Sequence, residues 1–132
     1  MSVPVDINNL ENALDEYGLG AFLITTGDDG HPHVTHVLLS ICSDGFLCDI
    51  GRKTSGNASS RPSVAMLWPP IEFGGHSLIV DGVVSVAEKP EGGFQGIFKP
   101  KSAILHRSNS LSEKQSQENC SSDCRPVSAK KV

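Results

Sequence analysis

Ala21-Phe22-Leu23-Ile24-Thr25-Thr26, then Gly27-Asp28-Asp29-Gly30, then His33 to Cys42: this stretch decides the fold. The first segment is apolar and β-branched and reads as a strand; Gly, Asp, Asp and Gly then supply a turn. In the segment that follows, Thr35, Val37, Leu39 and Ile41 recur at every second position and share one face. The pattern is a β-hairpin. Downstream, Ser43-Asp44-Gly45 turns the chain again, and Phe46-Leu47-Cys48-Asp49-Ile50 forms a third strand that ends at Gly51. Arg52 to Pro62 breaks the pattern with polar and small residues, and Ser63-Val64-Ala65-Met66-Leu67-Trp68 resumes it until Pro69-Pro70. Ser77 to Ala87 is a long strand interrupted by Asp81-Gly82, which reads as a bulge, with a second tight hairpin as the alternative. Ser102 to His106, past Pro100, adds an edge strand.

Upstream of the hairpin the period changes. Ile7, Leu10, Leu14 and Tyr17 recur at intervals of three and four, with Asp6 as N-cap and Gly18 just past the end, so the spacing predicts an amphipathic helix from Asp6 to Tyr17. From Ser108 onward the residues are almost all polar, too few being apolar to offset the entropy of ordering them. The expected organisation is an ordered domain over 1–107 and a flexible tail over 108–132.

A chain of 132 residues can bury one core and has no room for two. With 11 basic against 15 acidic residues and a formal charge of -4, it has no field to gather nucleic acid or an anionic bilayer. It has no apolar run of membrane-spanning length, and its N-terminus carries neither a basic segment nor a signal-length apolar stretch, so a cytoplasmic protein is expected. Cys42 and Cys48 lie in strands and read as small core residues; Cys120 and Cys124 lie in the polar tail, where one ligand too few is at hand for a zinc site. His31, His33 and His36 crowd one hairpin, but alternation sends His33 and His36 to opposite faces, which does not suit one shared metal ion. No metal site is expected.

The stretch that carries chemistry is Gly51-Arg52-Lys53-Thr54-Ser55-Gly56-Asn57, between two strands at the start of a short helix. Two adjacent cations, hydroxyls, an amide and glycine N–H groups are suited to a phosphate, against the plainer reading of a solvated basic loop. No nucleophile elbow, Walker sequence or dinucleotide-binding glycine fingerprint is present, and no catalytic residue can be named.

Taken in order, Ala21 to Thr26, Gly30-His31-Pro32, His36 to Leu39, Gly51-Arg52-Lys53-Thr54 and Arg61-Pro62-Ser63-Val64-Ala65-Met66-Leu67-Trp68 resemble the pyridoxamine 5'-phosphate oxidase-like split-barrel family over roughly Leu10 to Arg107. The resemblance implies a mainly β fold: a six-stranded antiparallel split barrel of Greek-key type, with an N-terminal helix and a short connecting helix. It implies FMN as cofactor, with a deazaflavin or haem as alternatives, at the boundary of a homodimer. Carried over residue by residue, it places Arg52 and Lys53 on the flavin phosphate with Thr54 and Asn57 as further donors. Thr35, His36 and Val37 would line the ring, and Trp68 would reach the partner's ring. Thr35 and Ser40 stand where the oxidase itself has an Arg and a Lys, and a neutral hydroxyl cannot replace a charge-assisted grip on a dianion. The implied function is therefore a flavin-dependent oxidoreductase that is not a pyridoxamine phosphate oxidase; a non-catalytic flavin, deazaflavin or haem carrier, or a dimer that lost its cofactor, are the alternatives.

Overall fold

The computed structural model describes residues 2–108. Its elements are β1 (Ser2–Val5), a 3-10 turn (Ile7–Asn9), α1 (Leu10–Tyr17), β2 (Gly20–Thr26), β3 (Pro32–Leu38), β4 (Ser40–Cys42), β5 (Gly45–Ile50), α2 (Arg52–Ser60), β6 (Ser63–Trp68), β7 (Ser77–Glu88) and β8 (Phe94–His106). The strands form one eight-stranded antiparallel sheet in the order β3-β2-β6-β7-β8-β5-β4, with β1 added to the end of β8.

The sheet nearly closes through β3 and β4. These are two parts of one bent strand, parted only at Leu39, whose N–H leaves the ladder to bond Leu19 O at 2.8 Å. The first part pairs with β2 and the last part with β5, and no ladder joins β3 to β5 directly. A barrel closed at one end of a strand and open at the other is a split barrel. The connection from β5 to β6 runs through α2 across the barrel, because β5 pairs with β8 rather than with its successor.

Alternation sorts each strand. Ala21, Leu23 and Thr25 of β2, Val64, Met66 and Trp68 of β6, Leu78, Val80 and Val84 of β7 and Phe98 of β8 point into the core. Trp68 and Phe98 are among its largest buried side chains, each contributing on the order of 1.5–3 kcal/mol by leaving water. Leu10 and Leu14 of α1 and Ala58 of α2 join the same cluster.

The structure differs from the sequence expectation in three places. Eight strands replace six, because the bend at Leu39 divides one expected strand and Ser2–Val5 adds another. The N-terminal helix opens as a 3-10 turn, with Asp6 Oδ1 accepting from Asn8 N at 3.0 Å, and becomes α-helical only at Leu10. The final strand begins at Phe94, not Ser102. Pro100 does not end it, because that residue sits beside the register shift at Asp81/Gly82, where a ladder N–H is not required. The bulge read at Asp81-Gly82 is that same shift. The tail from 109 onward, including Cys120 and Cys124, lies outside the described residues.

Candidate functional site

α2 has the sequence Arg-Lys-Thr-Ser-Gly-Asn-Ala-Ser-Ser, with little intrinsic helix propensity. Tertiary contacts hold it. Thr54, Ser55, Asn57 and Ala58 face inward, and Asn57 Nδ2 donates to Thr25 Oγ1 at 3.1 Å, a buried bridge from α2 to the inward face of β2. Thr25 is a polar residue at a core-facing position of a strand, and such a residue requires a partner. The helix ends at Arg61, the residue before Pro62, whose ring disfavours helical geometry in its predecessor. Arg61 then secures the β2–β3 turn, with Nε donating to Thr26 O at 2.7 Å and Nη2 to Asp28 Oδ1 at 2.7 Å.

The other end of α2 is unlike an ordinary helix start. Its N-cap, Gly51, offers no side-chain acceptor, and the first turn contains no acidic residue. Two cations stand there instead, at the positive end of the helix dipole, an arrangement that weakens a helix unless an anion sits over it. The first helical bond is Ser55 N to Gly51 O at 2.9 Å, so the preceding N–H groups have no partner within the helix. A Cβ built on Gly51 would meet nothing within 4 Å, so the space beside the cap is open.

Consecutive helix positions are about 100° apart, and Arg52 and Lys53 accordingly diverge. Lys53 lines a cavity of about 680 Å³ together with Asn57, Ser60, His31, His33 and the β2–β3 turn. Arg52 lines another, of about 400 Å³, against the β7–β8 turn with Lys89, Gly93 and Phe94. The two cations do not form one fork. Lys89 is itself held by Asp49 Oδ1 at 3.1 Å.

β3 and β5 face one another across the split with no ladder between them. Extending the β4–β5 register backward from Ser40 opposite Leu47 sets Leu38 opposite Asp49 and His36 opposite Gly51. A further cavity of about 290 Å³ in this split is lined by His36, Val37, Leu38, Ser40, Cys48 and Asp49. Along β3, the odd-numbered residues His33, Thr35 and Val37 face inward and the even-numbered Val34, His36 and Leu38 face out. Thr35 therefore lies between two residues that each border a cavity, and its Oγ1 is buried with no hydrogen-bond partner. Such an orphan costs about 1–3 kcal/mol. His36 lies outside, its ring 4.9 Å from that of Phe22.

Of the residues expected in the site, Lys53 and Asn57 share one cavity and His36 and Val37 another, Thr35 lies between them, and Arg52 faces elsewhere. Thr54 is 2% exposed and turned into the barrel. Trp68 is 1% exposed and donates its indole N–H to Gly18 O at 3.0 Å, which makes it a core residue of its own subunit. His31, His33 and Ser60 were not among the expected phosphate-side residues; Ser60 shares α2 with Lys53, and the turn that carries His31 and His33 is held by Arg61, whose partner Asp28 is 33 residues away in sequence. Cys48 is buried, and burial, with the Asp49 charge second, pushes its thiol up to about 11. It is therefore no nucleophile. Burial, and secondarily Glu16, also raises the Tyr17 phenol, which donates to His76 O at 2.8 Å. Among the described residues no group of three or more His, Cys, Asp and Glu side chains is placed to hold a metal, and no helix is long and apolar enough to cross a membrane.

Solved structures share this architecture. A pyridoxamine 5'-phosphate oxidase homologue from Listeria innocua superposes with a TM-score of 0.63 at 14% identity, over 78% of this chain and all (100%) of that one. The haem storage protein HutZ of Vibrio cholerae gives 0.60 at 14% identity over 74% and 94%. An F420 reductase gives 0.58 at 19% identity over 70% and 94%. The chain thus has the split-barrel fold of pyridoxamine 5'-phosphate oxidase-like proteins. No family model matches the sequence. An uncharacterized protein of Mycobacterium bovis is 35% identical over 134 aligned residues, which cover 91% of this chain and 92% of that protein, and the chain belongs to the same family as that mycobacterial protein.

Proposed function

We propose that this protein binds a phosphorylated flavin, FMN, and serves in the cytoplasm as a homodimeric flavin-dependent oxidoreductase that is not a pyridoxamine phosphate oxidase. The observation that carries the reading is the start of α2: an uncapped helix end bearing Arg52 and Lys53 where stability calls for acceptors, beside open space at Gly51. A phosphate dianion over that end would satisfy the unpartnered N–H groups and offset both charges. Lys53 is the principal cation, since it lines a cavity with Asn57 and the β2–β3 turn. Asn57 supports it by fixing α2 on Thr25. The outer edge of β3, unpaired opposite β5, offers alternating backbone donors and acceptors to the polar rim of a flavin ring, with His36 and Val37 beside it. Bound there, the flavin supplies hydride or single-electron transfer, and the chain supplies position and electrostatics. A deazaflavin carrying a phosphate would use the same contacts. His31 and His33, both on the Lys53 cavity, favour haem as the second reading, in either a catalytic or a carrier role.

Titration with FMN and with riboflavin tests the reading. Replacing Lys53 by Ala is expected to weaken FMN by about 1.5–3 kcal/mol, or roughly 10- to 100-fold, and to leave riboflavin unchanged. Arg52→Ala is expected to cost less, because that side chain faces the other cavity. Equal losses for both ligands in Lys53→Ala would refute the phosphate role, and a Soret band in the purified protein would favour haem.

A further inference from the structure

Gly56 has no reason within the chain to be glycine. It stands at the middle of α2, at an exposed position, and its φ is not positive. A Cβ built on it would meet nothing within 4 Å. Neither a left-handed backbone nor a close neighbour excludes a side chain there, yet glycine inside a helix costs stability against alanine. α2 has little helix propensity to spare and is held by the bridge from Asn57 to Thr25. What the glycine provides is space.

Lys53, Gly56, Asn57 and Ser60 follow one another at helical spacing, share one face of α2 and line the cavity of about 680 Å³. The opposite wall is the β2–β3 turn, which Arg61 ties to the end of the helix. From Lys53 to Ser60 a helix rises about 10 Å, so the cavity is an elongated groove with a cation at one end and bare backbone at its middle. Its volume is that of a small-molecule site, roughly 300–1,000 Å³.

Charge is unevenly spread along the groove. Lys53 has no ion-pair partner among the described residues. On the turn, Asp28 is neutralised by Arg61 at 2.7 Å, whereas Asp29 keeps its charge, its Oδ1 accepting only the backbone N–H of His31 at 2.9 Å. A ligand with further carboxylates or phosphates at its far end would be repelled there. One with a phosphate at Lys53 and neutral hydroxyls beyond it is matched, because a carboxylate accepts hydrogen bonds from ribose hydroxyls. His31 and Pro32 add flat ring surface, and the bare floor at Gly56 lets a planar base lie against the helix.

We propose that this groove holds the nucleoside of a nucleotide whose phosphate sits at Lys53, and that Gly56 is the residue that admits its base. The inference rests on the reading of Lys53 as the phosphate cation and extends it. The flavin is then taken as a dinucleotide with its adenosine along α2, and FMN fills the phosphate end alone.

Titration of the full chain and of Gly56→Leu with FAD, FMN and AMP, with far-UV circular dichroism and thermal melting, tests the proposal. Wild type is expected to bind FAD about 10- to 100-fold more tightly than FMN, and to bind AMP in competition with FMN. Gly56→Leu fills the groove with a residue that favours the helix. It is expected to raise the thermal midpoint by a few degrees while weakening FAD and AMP about 10-fold or more and FMN less than about twofold. Gly56→Ala should stabilise likewise and weaken FAD by a smaller factor. A glycine with only a structural role would not couple gained stability to the loss of one ligand class. FAD held no more tightly than FMN by wild type would overturn the proposal, as would a folded Gly56→Leu that keeps FAD unchanged or loses FAD and FMN alike. The flavin reading fails separately: a protein that binds AMP in a Gly56-dependent way and ignores both FMN and riboflavin defeats that reading and leaves the groove a nucleotide site.

Discussion

Thr25→Val and Asn57→Ala cut the same hydrogen bond from opposite sides, and the structure predicts unequal costs. Thr25 is 1% exposed, and its hydroxyl accepts from Asn57 Nδ2 at 3.1 Å. Asn57→Ala strands that hydroxyl and leaves a small void, so it should cost about 2–3 kcal/mol, near the top of the range for an orphaned buried polar group. Thr25→Val is nearly isosteric and strands the amide instead. Asn57 is 7% exposed and borders the Lys53 cavity, from which water can solvate the freed N–H, so the cost should be nearer 1 kcal/mol. The double variant should cost less than the two singles together, by about 1 kcal/mol of coupling. Urea denaturation at constant m-value reads these differences, and thermal midpoints should fall by roughly 4–8 °C per kcal/mol for a domain of this size. Strict additivity, or a larger loss for Thr25→Val, would show that the bridge does not hold α2 to the barrel. Because the bridge fixes the helix that carries Lys53, Asn57→Ala should also weaken FMN more than Thr25→Val does.

Cys48 should resist iodoacetamide in the folded protein up to about pH 10 while the half-buried Cys42 reacts, since burial holds the Cys48 thiol at about 11 against an ordinary 9.0. The folded pKa is raised, so this group's contribution to stability is full below about pH 9 and is lost as pH rises toward 11, a decline that Cys48→Ala should abolish in alkaline denaturation. Gly82→Ala should be severely destabilising, by more than about 3 kcal/mol, because a Cβ there falls 2.3 Å from Lys99 O and 2.8 Å from the Phe98 ring, and backbone cannot yield as a flexible side chain would. A mild loss in thermal denaturation would mean that the bulge relaxes.

Much of this molecule was legible in the order of its residues. Period-two alternation placed β2, β5, β6 and β7, the spacing of Leu10 and Leu14 placed α1, and the polar junction after β5 marked the short helix α2. These are local properties, set by neighbours a few positions apart. The reach of β8 was hidden, because Pro100 breaks a strand except where a bulge excuses its missing N–H, and the bulge depends on β7, the partner strand. The separation of Arg52 from Lys53 follows from helix geometry once α2 is known to be helical, yet what each faces is decided by the β7–β8 turn on one side and the β2–β3 turn on the other. Trp68 reads in sequence as the end of a strand before two prolines, free to reach outward. Alternation with Val64 and Met66 turns it inward, and the approach of Gly18, 50 residues earlier, occupies its N–H. Sequence alone determines which residues prefer a strand, a turn or the water. Tertiary structure decides which distant backbones arrive beside them, because each such contact gains its energy only when the closure of a long loop has already been met.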